Sequence, residues 1–317
     1  MIASRSSSAA ALGFIGDKAA FARSTSRSSR KPEQSQKGAT ACRATSDTPA
    51  ERPLTSCCIT REQIDAFHKQ GFVHLPAVLS DAELREHIDP VYERFLSGDI
   101  SVPGSDVCDM SGAEGRTRNQ FTVYNVMLPR TYHPAWQGSV FEQRCQDIAN
   151  QLQDGDMEPD YDQILAKRPH SKDAIFAWHQ DMAYWPPTTT STATATCWLA
   201  VTDSTEENGC MRFIAGSHLE SDLRPHAPVA SSRAKSHALH TQLLSSDAVT
   251  HVPIKRGDIT VHNERVMHGS GPNMSDQWRK AYVLAFRKRA CIAEERALGF
   301  THSHNDVTSW DAFHDHR

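Results

Sequence analysis

No apolar run in this 317-residue chain is long enough to be a membrane-spanning helix. No excess charge of one sign is present either. Lys and Arg number 34 against 38 Asp and Glu, a formal net charge of −4, which offers no reason to bind nucleic acid or an anionic membrane surface. Cysteine is thin, with eight residues (Cys42, Cys57, Cys58, Cys108, Cys145, Cys197, Cys210 and Cys291) and no CxxC pair. That pattern excludes a disulfide scaffold and fits free thiols in a reducing compartment. No internal repeat is visible. What remains is a globular composition with 38% hydrophobic residues, enough for one large domain with an extra arm.

The arm is at the N-terminus. Residues 1–50 hold ten serines and eight Lys or Arg against three acids, Asp17, Glu33 and Asp47. The stretch RSTSRSSRK has no apolar face, and AAALGF is too short for a secretory core. Arg- and Ser-rich, acid-poor composition is that of an organelle transit peptide. Residues 1–55 are therefore expected to be a disordered import segment, plastid favoured over mitochondrion, with the catalytic domain at 56–295 and a loose tail at 296–317 carrying His302, His304, His314 and His316.

Inside the domain the first half is helical. Thr60 with Gln63 and Ser80 with Glu83 are capping boxes, and Ser139 with Glu142 caps a third helix at about 140–153. Gly71 and Gly98 are natural helix stops, FVHLP is a short strand, and residues 99–120 are polar and irregular. After residue 160 the pattern changes to short strands with turns between them, at 197–203, 210–218, 258–263 and 280–288, which indicates a sandwich or barrel. Both faces of the last strand are apolar: Ala281, Val283 and Ala285 on one, Tyr282, Leu284 and Phe286 on the other. It therefore reads as a central strand of a covered sheet.

The chemistry concentrates in AWHQDMAYWPP at 177–187. His179 and Asp181 lie two apart, so on a strand end they share a face. His268 follows a strand and precedes small residues that let a ligand approach. Arg279 opens the apolar strand, where a buried guanidinium needs an anion. Two histidines and a carboxylate leave three positions of an octahedral metal open, as in non-haem Fe(II) oxygenases. Those positions suit a 2-keto acid and O2, and an arginine fork suits the keto acid's far carboxylate.

Four separated motifs, WHQDMAYW, CWLAVTDSTEENGCMRFIAGSH, GDITVHNERVMHGSGPN and WRKAYVLAF, together with the opening GFVHLPAVLSDAEL, resemble the phytanoyl-CoA dioxygenase family over about residues 60–290. The resemblance implies a mainly β fold with flanking helices around a double-stranded β-helix, a jelly-roll relative. It also implies Fe(II), 2-oxoglutarate and O2 as cofactors and cosubstrates, with His179, Asp181 and His268 as iron ligands. Arg279 and Ser270 match the pair that holds the 2-oxoglutarate carboxylate, and Trp198 and Gln163 fall at further cosubstrate contacts. Gln180, Tyr184 and Trp185 fall on the substrate side. The implied activity is hydroxylation of a small organic molecule (an acyl-CoA, an amino-acid-like solute or a secondary metabolite) coupled to decarboxylation of 2-oxoglutarate to succinate and CO2. A monomer or homodimer is expected.

Several features stay open. Halogenation would need Gly or Ala in place of Asp181. A zinc site would leave Arg279 unexplained, and a non-catalytic binding protein would have lost a ligand. His74, His251 and His262 read as structural or surface histidines, and His218 as part of a turn. Lys167, Arg168 and Lys172 either attract an anionic substrate or form a solvated loop. The Thr-rich PPTTTSTATAT departs from the family pattern and is expected to reshape the substrate mouth.

Overall fold

The computed structural model describes residues 57–232 and 235–301. The proposed import segment and the histidine-bearing tail lie outside them.

Thirteen strands are present among the described residues: β1 Phe72–Leu75, β2 Val107–Asp109, β3 Val123–Met127, β4 Met157–Lys167, β5 Phe176–His179, β6 Thr194–Ala200, β7 Met211–Ile214, β8 Ala227–Pro228, β9 Leu239–His240, β10 Val249–Val252, β11 Ile259–His262, β12 His268–Ser270 and β13 Arg279–Lys288. They form a seven-stranded sheet in the order β1-β11-β6-β13-β4-β3-β2, a four-stranded sheet β10-β7-β12-β5 and a small β8-β9 ribbon. The pairings within both larger sheets are antiparallel. This is the mainly β, jelly-roll architecture implied by the resemblance.

β13 sits in the middle of the large sheet, between β6 and β4. Its two apolar faces serve two cores. Tyr282, Leu284 and Phe286 pack outward into a cluster with Phe67, Tyr92, Phe95, Phe141 and Ile148 from the helices. Ala281 and Val283 point inward, with Trp198, Leu165, Met211 and Phe213. Alternation along one strand thus separates a helix-covered face from the barrel interior.

Six helices frame the sheet: α1 Arg61–Gln70, α2 Asp81–Glu83, α3 Asp89–Ser97, α4 Pro129–Tyr132, α5 Val140–Leu152 and α6 Arg289–Ala297. Thr60 accepts from the Gln63 amide while the Gln63 side chain accepts from the Thr60 amide, at 3.2 and 2.8 Å, and Gly71 ends the helix at φ 85°. Ser80 and Glu83 repeat the reciprocal cap. Ser139 accepts from the Glu142 amide at 3.4 Å. Between α2 and α3 the backbone widens into a π-turn at Leu84–Ile88, just ahead of Pro90, which has no N–H to continue the regular ladder. No described helix is long and apolar enough to cross a membrane.

Three differences from the sequence reading bear on the site. β3 and β4 are strands that the sequence pattern did not announce. Tyr161, Gln163 and Leu165 of β4 contribute to the lining of the barrel interior. Residues 289–297 form α6, and Phe300, 2% exposed, meets Trp185 edge-on at 5.7 Å. The domain therefore continues past residue 295. The Thr-rich segment is a brace: Thr189 and Thr190 donate to Glu295 and Glu294 of α6 at 2.6 and 2.8 Å.

Candidate metal centre

Pairing of β5 with β12 sets His179 opposite His268 in register, so both imidazoles enter the barrel from neighbouring strands. Asp181 follows just past β5, at the start of a 3-10 turn, Asp181–Tyr184. The ligand atoms of His179, Asp181 and His268 all lie within 4.8 Å of one another. Asp181 Oδ1 is 3.2 Å from His179 Nε2 and 3.5 Å from His268 Nε2.

The backbone fixes which nitrogen each imidazole presents. His179 Nδ1 lies 2.7 Å from the Ala177 carbonyl, and His268 Nδ1 lies 3.0 Å from the Val266 carbonyl. A carbonyl can only accept, so each Nδ1 carries the hydrogen and each Nε2 turns its lone pair toward Asp181. Burial pushes the His268 pKa well below its ordinary value, which favours the neutral, metal-binding form. Burial alone would raise the Asp181 carboxyl. The surrounding imidazoles of His268, His179 and His262 outweigh it and hold the group well below the usual carboxylate range.

Two lone-pair nitrogens and one carboxylate converging on one side of a cavity form the donor set of an octahedral site with open positions. The cavity's far end supplies the second half of the fit. Arg279 is 2% exposed and its Nε and Nη1 have no hydrogen-bond partner among the described residues. Its guanidinium carbon lies 5.0 Å from the Trp198 ring centroid. Burial pushes its pKa down to about 10. Opposite it in register on β4, Lys167 is fully buried and donates to the Gly271 carbonyl. No carboxylate of the described residues pairs with either cation. A buried, unmatched guanidinium fork is a receptor for a carboxylate from outside the protein. The residues present therefore fit both iron and the far carboxylate of 2-oxoglutarate.

Ser270, Trp198, Gln163 and Arg279 line this cosubstrate end together with His179, Asp181 and His268. Tyr184 and Trp185 line an adjoining cavity that shares His179, Asp181, Gln163, Phe176, Thr196 and Val283 with the first. Gln180 does not belong to either. Next to His179 in sequence it turns the other way, fully buried, donating to the Arg265 carbonyl at 2.6 Å and accepting from the Arg224 amide at 2.8 Å. Its place on the substrate side is corrected to that of a tether between loops.

His262 also needs correction. Expected as a structural or surface histidine, it is 1% exposed, and its Nε2 lies 3.1 Å from Asp181 Oδ2. It occupies the carboxylate oxygen that faces away from His179 and His268. The signal was present in DITVHN: Ile259 and Val261 alternate onto the helix-covered core, so His262 points into the barrel. Glu264, Thr196 and Met110 are further cavity residues without a local sequence signature. By contrast, His218 bonds the His68 carbonyl and His74 pairs with Asp258, as ordinary structural histidines do.

The profile of the phytanoyl-CoA dioxygenase family matches residues 67–281, well over half of the chain. The chain belongs to the phytanoyl-CoA dioxygenase family. A phytanoyl-CoA dioxygenase domain-containing protein 1 homolog of Dictyostelium discoideum is 39% identical over 113 residues, 34% of this chain and 39% of that protein. The match thus spans about two fifths of that relative's length. A probable alpha-ketoglutarate-dependent hypophosphite dioxygenase of Stutzerimonas stutzeri is 23% identical over 228 residues, 71% of this chain and 77% of that protein. Among solved structures, EvdO2 from Micromonospora carbonacea var. aurantiaca is similar at a TM-score of 0.61 and 28% identity, covering 73% of this chain and 91% of that one. The same protein complexed with 2-oxoglutarate gives a TM-score of 0.58 at 27% identity, with the same coverage.

Proposed function

We propose that the protein is an Fe(II)- and 2-oxoglutarate-dependent dioxygenase that hydroxylates a small organic molecule. The observation that carries this reading is Arg279, a buried guanidinium without an anion among the described residues, at the far end of the cavity that holds His179, Asp181 and His268. Zinc hydrolysis could use the same three ligands but has no use for that arginine, and a protein that had lost catalysis would not need to keep it.

In this reading His179, Asp181 and His268 would hold the metal, and Arg279 with Ser270 would take the far carboxylate of 2-oxoglutarate. Iron, 2-oxoglutarate and O2 together would supply C–H oxidation, with succinate and CO2 as coproducts. The chain's own contribution is placement and exclusion of water. The histidine and arginine side chains are 2–5% exposed or less, and Asp181, at 25%, is the one opening toward the neighbouring cavity. His262, by holding the second oxygen of Asp181, leaves the first free for the metal. The measurement is succinate release from 2-oxoglutarate with Fe(II) and O2, across candidate substrates. Metal-dependent hydrolysis with zinc, and no binding of 2-oxoglutarate, refutes the proposal.

The Ser- and Arg-rich residues 1–55 support a second, independent proposal: import into an organelle, the plastid before the mitochondrion. Residues 1–55 fused to a fluorescent protein should reach that organelle, and cytosolic fluorescence refutes it.

A further inference from the structure

The cavity beside Asp181, on the side away from Arg279, has an unusual charge content. Tyr161, Phe176, Tyr184 and Trp185 give it aromatic walls, and neither lysine nor arginine is among its described lining residues. Lys167 points to the Gly271 carbonyl, Arg168 donates to the Phe121 and Asn119 carbonyls, and Lys172 is exposed. None of the three is available to an anionic substrate there. The acidic groups among its described lining residues are Asp181, which the metal would neutralise, and Glu264; the imidazoles are those of His179 and of His237, which stacks on Tyr184 at 5.2 Å.

Glu264 is held in place from both sides of its backbone. Its amide donates to Thr194 Oγ1 at 2.8 Å, and its carbonyl accepts from the Met182 amide at 2.9 Å. The side chain is 1% exposed, and Oε2 has no hydrogen-bond partner among the described residues. It forms a loose ion pair with Arg287, whose Nε stands 3.6 Å away, beyond hydrogen-bonding distance, and itself has no hydrogen-bond partner there. The rest of the Arg287 guanidinium is shared. Its Nη atoms donate to both oxygens of Glu295, at 2.5 and 2.8 Å, and to Asp160 at 3.1 Å. Arg296 also donates to Asp160. Three carboxylates (Asp160, Glu264 and Glu295) thus share two guanidiniums, and the one with an oxygen lacking any hydrogen bond is the one that faces the cavity.

We propose, resting on the dioxygenase reading, that this cavity selects a substrate carrying an amino group, taken up as the ammonium, with Glu264 as its partner and the aromatic walls around its apolar body. Burial pushes the Glu264 carboxyl well above its ordinary range, and an ammonium arriving at Oε2 would favour its ionised form. It does so with a charge-assisted hydrogen bond, and aromatic faces add cation–π attraction. The ammonium end at Glu264 leaves the apolar body to lie toward Asp181, where the metal would stand. Glu264 is a specificity-determining residue in this account.

Three probes of matched size and different charge test it: 2-phenylethylamine, 2-phenylethanol and 3-phenylpropionate. Each is titrated into the anaerobic Fe(II) protein with 2-oxoglutarate present, read by calorimetry and by the fluorescence of Trp185. The amine should bind about tenfold or more tighter than the alcohol, the range of one hydrogen bond to a charged group, and the acid weakest. Glu264→Gln, which keeps the shape and removes the charge, should bring amine and alcohol within about twofold of one another. An acid that binds as tightly as the amine overturns the proposal, and so does an amine preference that survives in Glu264→Gln. If circular dichroism shows that this variant does not fold, the ranking on the parent protein decides alone. Binding of 2-oxoglutarate to the parent is measured first. Its absence refutes the dioxygenase reading and leaves the charge ranking of the cavity to be judged separately.

Discussion

Replacing Arg279 by methionine should separate cosubstrate binding from folding. The guanidinium is 2% exposed, and burial lowers its pKa by more than two units, to about 10. At about 1.4 kcal/mol per unit, that is on the order of 3 kcal/mol of unrelieved desolvation. The folded state holds this proton less tightly than the unfolded state does. The penalty is therefore complete at neutral pH and lifts only as pH rises past about 10. No carboxylate of the described residues pairs with Arg279, so methionine orphans no protein charge. The melting temperature should stay level or rise by a few degrees. The ligand's carboxylate is a different matter, because losing the partner of a buried ion typically costs about 3–5 kcal/mol. The dissociation constant of 2-oxoglutarate should therefore rise on the order of a hundred- to several-thousand-fold. Arg279→Lys should recover only part of this, since an ammonium cannot match both oxygens of a carboxylate. The assay is calorimetric titration of 2-oxoglutarate into the anaerobic Fe(II) protein, beside thermal melts. A dissociation constant within about threefold of the parent, together with a lower melting temperature, refutes the reasoning and makes Arg279 a structural residue.

Alanine at His179, Asp181 or His268 should abolish iron binding and succinate release while the circular dichroism spectrum is kept; full iron content in any one variant removes that residue from the ligand set. His262→Phe should weaken metal affinity about 10–100-fold, the usual cost of losing a group that orients a ligand, and unchanged affinity in a metal titration would assign His262 to packing. For Glu83, 24% exposed, burial would raise the carboxyl, but hydrogen bonds from Arg144 and Ser80 outweigh it and bring the pKa to about 2. Glu83→Gln should cost about 1 kcal/mol after solvent screening, in full above the unfolded pKa near 4.5 and vanishing as pH falls toward 2; a gap between the melting curves that ignores pH across that window contradicts the pairing.

Legibility in the sequence followed the range of each interaction. Helix caps are local, and Thr60, Ser80 and Ser139 announced three helix starts. β13 was readable as a central strand because burial on both faces writes an unbroken apolar run. β4 was not readable: its first half, EPDYD, looks like a loop. Asp162 within it is buried only because Arg130 and Tyr282, distant in sequence, bond it there. The HxD spacing, His268 and Arg279 were visible because metal and carboxylate chemistry need particular residue types. Whether they converge depends on β5 pairing with β12 and on β13 lying two strands from β11, which no local pattern states. Gln180 shows the opposite limit. It lies between two cavity residues, yet strand alternation turns it away from both cavities.

His262 and Glu264 belong to one segment leaving β11, and they act on opposite sides of Asp181. Beyond His268 the barrel interior carries Arg279, which has no carboxylate partner among the described residues. Beyond Asp181 it carries Glu264, whose carboxyl burial pushes up and whose Oε2 has only the loose pairing with Arg287 Nε, at 3.6 Å, among the described residues. A basic and an acidic side chain thus stand on opposite sides of the candidate metal position, over one continuous set of lining residues. Two organic molecules must occupy this space together in a dioxygenase, and shape alone does not stop a small one from entering the wrong half. A dianionic keto acid placed beside Glu264 meets neither lysine nor arginine among the described lining residues to offset its desolvation. An ammonium placed beside Arg279 meets like charge in a low-dielectric site, where repulsion is strong. On the amine proposal, the polarity of the barrel would sort cosubstrate from substrate before either reaches the metal.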